Sequence, residues 1–140
     1  MGRLGSEPCS PGMETAMIDL PLRARCHCGA TQFEVTHAPT ELTDCNCSFC
    51  SRRGALHAYY RPAQFRLTTA RDRVSTYQWG HYLGQHHHCA VCGCPTYSEF
   101  PSFDSGAPDF DDPRISINAR LLVDFAWDQL PVRKNDGKAY

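Results

Sequence analysis

Apolar and polar residues alternate in several short segments of this chain, and this pattern predicts strands rather than helices. Residues 31–36 read Thr-Gln-Phe-Glu-Val-Thr, and residues 114–118 alternate in the same way, with Ile115 and Ile117 on one face. We therefore expect both segments to be half-buried strands. Further short runs, rich in β-branched or aromatic residues and bounded by Gly, Pro or charged residues, occupy residues 56–60, 65–68, 74–79, 85–88 and 96–100.

Helix signals are weak. They are confined to a turn at residues 48–53 and a second one at residues 119–122. Residues 101–113 carry Pro, Gly, Ser and four Asp, which favours a long polar loop. Many short strands with frequent turns predict a mainly β fold with antiparallel pairing.

A chain of 140 residues has the usual length of one compact domain. We expect a flexible N-terminal lead-in over residues 1–20, which are rich in Gly, Pro and Ser, a folded domain over residues 21–130, and a C-terminal tail over residues 131–140. The composition of this stretch suggests the hypothesis that Met13 or Met17 is the true start, and Cys9 is interpreted as an incidental free thiol.

The charge balance and hydropathy exclude several classes of partner. The net charge is −1 and the pI is about 6.6, so no global field attracts nucleic acid or anionic lipid. No apolar run approaches the roughly 20 residues that cross a bilayer, and the N-terminus lacks the apolar stretch of a secretory signal. We expect a cytoplasmic protein that binds neither nucleic acid nor membranes; its oligomeric state is left open.

Nine cysteines are many for this length, and eight of them fall in three clusters. The odd total and the tight spacing argue against a disulfide framework, because neighbouring thiols would scramble any pairing. Metal binding in a reducing compartment fits better. The clusters are Cys26-His27-Cys28-Gly29, Cys45-Asn46-Cys47-Ser48-Phe49-Cys50 and Cys89-Ala90-Val91-Cys92-Gly93-Cys94.

Two arrangements of zinc ligands follow from the spacing. A closely spaced cysteine pair from each of two distant segments builds a closed four-cysteine site, with Gly93 relieving the tight turn after its pair. The triad of Cys45, Cys47 and Cys50 can instead present three sulfurs from one loop and leave the fourth position open, as catalytic zinc sites do. The alternative is that Cys94, or a histidine of the run at residues 86–88, closes this second site. We expect two zinc ions per chain.

The clusters and their flanking residues resemble the glutathione-dependent formaldehyde-activating enzyme family, whose domain is shared with centromere-protein-V-like proteins. The resemblance implies a β-tent fold, a structural zinc on the first and third clusters, and a catalytic zinc on the second. Cys94 has no place in this pattern and is kept only as an additional candidate ligand. The matching segments are Arg25 to Phe33, Cys45 to Cys50 followed by Arg52 to Leu56, His88 to Gly93, and Ile117 to Arg120. The implied ligands are Cys26, Cys28, Cys89 and Cys92 for the structural zinc, and Cys45, Cys47 and Cys50 for the catalytic zinc.

The function implied by the resemblance is addition of the glutathione thiol to formaldehyde, a reaction grouped with those of carbon–sulfur lyases. We therefore expect an enzyme that forms or cleaves adducts of glutathione, or a similar thiol, with formaldehyde or another aldehyde. Arg52 and Arg53 could offset negative charge or hold a substrate carboxylate, or they could be solvated surface charges. His57 could carry a proton or have a structural role. The alternative function is a non-catalytic, zinc-stapled module that binds a protein partner.

Overall fold

The computed structural model describes residues 20–137. The expectations for the N-terminal lead-in, the alternative start sites and Cys9 lie outside the described residues.

The described chain contains ten strands and one short α-helix. Helix α1 spans Ser48–Arg53, as the sequence predicts, and a short 3-10 helix spans Ala119–Leu121. The strands are β1 (Leu22–Arg25), β2 (Gln32–Val35), β3 (Leu42–Cys45), β4 (His57–Tyr60), β5 (Phe65–Leu67), β6 (Val74–Tyr77), β7 (Gln85–Cys89), β8 (Pro95–Ser102), β9 (Asp109–Asn118) and β10 (Val132–Asn135).

The strands form two sheets. The smaller one has the order β1-β2-β5, and the larger one has the order β10-β3-β4-β9-β8-β7-β6. Neighbouring strands are antiparallel except β10 and β3, which are parallel. The prediction of a mainly β protein with largely antiparallel pairing is confirmed.

The hydrophobic core lies where the two sheets face each other. Phe33 of the small sheet is 1% exposed, and its ring lies 6.1 Å from that of Tyr97 in the large sheet. Ile115 and Ile117 are both buried, but so are Ser116 and Asn118 between and after them, so the prediction of a half-buried strand is wrong for this part of β9. Burial of such apolar side chains stabilises a domain by about 1.5–3 kcal/mol each, so this shared core holds the sheets together.

The prediction of a polar loop over residues 101–113 is wrong for most of its length. Strand β8 continues to Ser102, and β9 begins at Asp109. Only residues 103–108 connect them. Because β4 pairs only with residues 115–118 of β9, the first half of β9 pairs with β8 alone among residues 20–137, and a proline there removes no hydrogen bond from a second ladder.

The expected C-terminal tail also contains a strand. Val132–Asn135 form β10, the edge strand of the large sheet, and pair residue by residue with β3. The segment carries Arg133, Lys134 and Asn135, a polar composition that gives little sign of a strand. An edge strand needs a partner on one side only, and charged side chains suit it because the other side faces water.

Among residues 20–137, no helix is long and apolar enough to span a membrane.

Candidate metal centres

The first sulfur group joins the two sheets. Cys26 and Cys28 follow β1, Cys89 ends β7, and Cys92 lies in the turn after it. The Sγ atom of Cys28 lies 3.7 Å from that of Cys26 and 3.6 Å from that of Cys89. All four sulfurs lie within 4.8 Å of one another. Gly93 has a φ of 84°, so the turn after the pair uses the left-handed conformation that glycine allows.

These distances fit a tetrahedral metal site. A metal–sulfur bond of about 2.3 Å places the sulfurs of a tetrahedron about 3.8 Å apart, whereas a disulfide needs about 2.05 Å. Backbone N–H groups also point at the sulfurs: Thr31 donates to Cys26 and Ala30 to Cys28, each at 3.4 Å. Such donors stabilise thiolates, which are the form that binds metal.

The thiols of this group do not titrate alike. The N–H of Ala30 favours the Cys28 thiolate, but desolvation and the neighbouring thiols outweigh it and raise the pKa of Cys28 to about 11. Desolvation opposes ionisation of Cys92, but N–H donors of Cys94 and Cys28 lower its pKa to about 5. Crowded sulfurs that compete for protons are stabilised by a cation, so the donor set fits a metal ion.

Cys94 lies beside the first group, close to Cys92. Its sulfur accepts the backbone N–H of His27, and its thiol interacts with that of Cys92. It belongs to neither of the two sulfur groups that could hold an ion, so the candidate role of Cys94 as a ligand has no support in the geometry.

The second sulfur group comes from one continuous segment. Cys45 ends β3, Cys47 is the N-cap of α1, and Cys50 lies within that helix. The Cys47 side chain accepts the backbone N–H of Cys50 at 3.2 Å. A cysteine at the N-cap replaces the usual Ser or Asp, and this turns the sulfur toward the helix. The three sulfurs lie within 4.8 Å of one another.

No fourth Cys, His, Asp or Glu among residues 20–137 joins this second group. That includes the histidine run, whose members were the alternative closing ligands. The pKa of Cys50 is raised by burial and by the adjacent Cys47 and Cys45. Burial alone would raise the pKa of Cys47 as well, but the Cys50 N–H and the neighbouring thiols lower it. As in the first group, this uneven sharing of protons suits a bound cation.

The two candidate arginines have different surroundings. Arg53 is half-buried, its guanidinium lies 4.8 Å from the centre of the Phe49 ring, and it donates to the carbonyl oxygen of His87 at 3.2 Å. Burial lowers its pKa, and the nearby Cys50 opposes that shift. Arg52 is exposed and donates to the carbonyl oxygen of Ser48 within its own helix, 2.9 Å away. Of these two arginines, Arg53 is the one with an electrostatic interaction with a cysteine of the second group.

Three rings pack around Phe49, which lies in sequence between Cys47 and Cys50 of the second group. The rings of Tyr77 and Trp79 each lie 5.7 Å from that of Phe49, and His86 lies 4.5 Å from it. No sequence motif links Tyr77 or Trp79 with Phe49. We call Phe49, Tyr77, Trp79 and His86 the aromatic wall.

The histidines are mostly held by hydroxyl groups. His87 is fully buried between the Thr76 hydroxyl at 2.8 Å and the Glu99 carboxylate at 2.7 Å. His57 Nδ1 lies 2.7 Å from the Ser116 hydroxyl, and its buried Nε2 has no hydrogen-bond partner within the described part of the chain. Burial and the charge of Arg53 lower the pKa of His57. A neutral imidazole at neutral pH follows from that shift.

Residues near the C-terminus also contact the second group, and sequence reasoning missed them. The Asn135 side-chain amide donates to Cys45 Sγ at 3.4 Å. A Cβ placed on Gly137 would lie 2.5 Å from the same sulfur. Both residues fall in the segment predicted to be a tail, and no motif marks them; only the pairing of β10 with β3 brings them to the site.

The fold and the two sulfur groups define a class: small, mainly β proteins with cysteine clusters suited to metal ions, consistent with zinc. The sequence profile of the family described as "Glutathione-dependent formaldehyde-activating enzyme" matches residues 21–108. The match spans more than half of the chain, so the chain belongs to this family, and the resemblance noted in the sequence is confirmed.

A solved structure agrees with this membership. The crystal structure of a Rhodobacter sphaeroides protein, a structural genomics target, is 28% identical to this chain. The match covers 79% of this chain and 99% of that one, with a TM-score of 0.63. The two proteins therefore share their fold over most of their lengths.

Proposed function

We propose that this protein is a zinc-dependent enzyme that forms or cleaves adducts of glutathione, or a similar thiol, with formaldehyde or another aldehyde. Such an enzyme is of the carbon–sulfur lyase type. The observation that carries the proposal is the second sulfur group, in which Cys45, Cys47 and Cys50 converge without a fourth Cys, His, Asp or Glu from the described residues. A site with three protein ligands is the arrangement of catalytic rather than structural zinc.

The two groups would divide the metal ions between them. Cys26, Cys28, Cys89 and Cys92 suit a closed structural site, and Cys45, Cys47 and Cys50 suit an open one. A zinc ion bound there would offer one free position to a substrate thiol and would favour its deprotonation. Free thiols in both groups are consistent with a reducing compartment such as the cytoplasm.

Residues around the second group would bind and orient the reactants. Arg53 carries a positive charge beside Cys50, which would attract an anionic thiol substrate and offset the charge of three thiolates. In the forward reaction, the thiol sulfur bonds to the carbonyl carbon and the thiol proton ends on the former carbonyl oxygen; cleavage is the reverse.

Metal counting combined with a rate measurement tests the proposal. Native mass spectrometry of the purified chain should show two zinc ions, and exchange NMR with ¹³C-formaldehyde and glutathione should show adduct formation faster than the spontaneous reaction. Cys50→Ser should lose one zinc and fall to the spontaneous rate. Ser51→Ala, an exposed change in the same helix, should match the wild type.

The same measurements distinguish the proposed enzyme from the alternative, a non-catalytic binding module. Two bound zinc ions without any increase in rate, for formaldehyde and for larger aldehydes, would contradict an enzyme and favour a non-catalytic protein-binding module. A single zinc ion in the wild-type chain would contradict the open second site itself.

A further inference from the structure

The C-terminal strand runs directly beside the second sulfur group. Strands β10 and β3 are parallel and in register, so Asn135 lies opposite Cys45. The backbone N–H of Asn46 donates to the Asn135 carbonyl oxygen at 3.1 Å. The Asn46 side-chain amide donates to the Asp136 carboxylate at 2.9 Å. These contacts hold the chain from Asn135 onward against the loop that carries the three cysteines.

Two residues of this segment lie close to the Cys45 sulfur. The Asn135 side-chain amide donates to Cys45 Sγ at 3.4 Å. A Cβ on Gly137 would lie 2.5 Å from Cys45 Sγ and 2.9 Å from Cys47 Cβ, closer than real Cβ atoms approach. The φ of Gly137 is not in the left-handed region, so glycine is required here by the close approach and not by its conformation.

We propose that residues 135–137 complete the three-cysteine site, with Asn135 as a positioning residue for Cys45 and Gly137 as the point of closest approach. An amide N–H that donates to sulfur stabilises the thiolate over the thiol and fixes its direction. Without a side chain, Gly137 lets the backbone cover one side of the group. Neither residue is within the segment that the family profile matches, residues 21–108.

This inference rests on the proposed function, because it assumes that the second group binds a metal ion. Hydrogen-bond partners of metal ligands typically contribute 10–100-fold to metal affinity. We therefore expect Asn135→Asp, which replaces the donor by an acceptor with a negative charge, to weaken the second site by about that factor. Gly137→Ala should weaken it at least as much, because the added methyl group displaces the segment or Cys45.

The test starts from the zinc-loaded full chain and titrates it with a chelator. Native mass spectrometry follows the step from two zinc ions to one, which reports the second site, and the step from one to none, which reports the first. In Asn135→Asp and Gly137→Ala, the first step should occur at about 10–100-fold lower chelator concentration, with the second step unchanged. Lys134→Ala, an exposed neighbour on β10, should behave as the wild type.

A spectroscopic readout separates a positioning role from simple loss of structure. In the chain loaded with Co²⁺, the sulfur-to-cobalt charge-transfer absorption should shift in Asn135→Asp and not in Lys134→Ala, because only the first change alters a donor to the sulfur. Asn135→Gln, which keeps the amide, should partly restore the wild-type spectrum and affinity. A second site with the same affinity and spectrum in Asn135→Asp as in Lys134→Ala would overturn the inference. If the wild-type chain itself holds only one metal ion, the proposed function fails instead.

Discussion

Individual cysteines of this chain differ in their surroundings although the sequence clusters them together. Cys94 follows Cys92 by two residues, yet only Cys92 joins the four sulfurs of the first group. Arg52 and Arg53 are adjacent, yet one binds its own helix and the other reaches the Cys50 side of the second group. Such differences at single residues allow matched variants to be compared.

The first prediction concerns Cys94. Because the first group already has four sulfurs and Cys94 lies on its side, Cys94→Ser should retain both metal ions by native mass spectrometry. Cys92→Ser, the matched change within the group, should lose one. Loss of a metal ion from the second group in Cys94→Ser would mean that Cys94 closes that site, and the catalytic proposal would then fail.

The second prediction compares the two arginines. Arg53→Gln removes a half-buried charge beside Cys50 and should lower kcat/KM for the thiol and aldehyde pair by about 10–100-fold, equivalent to about 1.4–2.8 kcal/mol. Arg52→Gln should stay within twofold of the wild type, since its side chain is exposed. Steady-state kinetics of both variants, with zinc content measured beside them, decides this. If the two changes lowered kcat/KM equally, Arg53 would have no special role at the site.

At the scale of elements, successive side chains of strand β7 point to opposite faces of the sheet and so meet different surroundings. His87 points into the interior and bonds Thr76 and Glu99, whereas His86 faces the ring of Phe49 on α1. The polar run at residues 85–88 is therefore neither a metal-binding tract nor an exposed face. Strand β7 therefore contributes His87 to the interior and His86 to the aromatic wall.

The third prediction follows from the surroundings of His86. Burial, with the charges of Arg53, His87 and His57, lowers the pKa of His86 to about 4. As the pH falls from 6.5 to about 4, His86 takes up a proton in the unfolded chain but not in the folded one. The free energy of unfolding therefore decreases over that pH range. The free energy of unfolding of the zinc-loaded protein, measured with urea at pH 7 and pH 5, should fall less in His86→Gln than in the wild type.

A matched control isolates this effect from protonation of the cysteines. His81 is exposed, and His81→Gln should leave the wild-type pH dependence unchanged. If His86→Gln and His81→Gln lose the same free energy between the two pH values, His86 does not contribute to the acid sensitivity of the fold.

For the whole molecule, the first sulfur group connects the two sheets and the second does not. Cys26 and Cys28 come from the small sheet, and Cys89 and Cys92 come from the end of β7 in the large one. Cys45 and Cys50 belong to a single segment of the chain. The groups should therefore contribute unequally to stability, because only the first closes a long loop between distant segments.

The fourth prediction measures this inequality. Cys89→Ser, at a fully buried ligand of the first group, should lower the Tm by more than about 10 °C, which corresponds to a few kcal/mol for a chain of this size. Cys50→Ser should lower it by less than about 5 °C. Differential scanning calorimetry of both variants checks this. A larger loss in Cys50→Ser would show that the second site stabilises the fold more than the first.

The sequence by itself indicated seven of the ten strands among the described residues, missing β1, β3 and β10, together with a turn at residues 48–53 that forms a helix. It also indicated two candidate groups of cysteine ligands, whose members the family resemblance implied. These features depend on local periodicity and on short spacings that few structures satisfy. Family membership also followed from the sequence, because the cysteine motifs stand in order within residues 21–108.

Only the tertiary structure decided what surrounds those groups. It placed Cys94 outside both groups, turned Arg53 toward Cys50 and Arg52 to solvent, and brought Asn135 and Gly137 against Cys45. Asn135 lies 90 residues from Cys45 and meets it only because β10 pairs in parallel with β3. Contacts across such distances depend on how strands pair and pack, and a local pattern of residues carries no information about which strand becomes the neighbour.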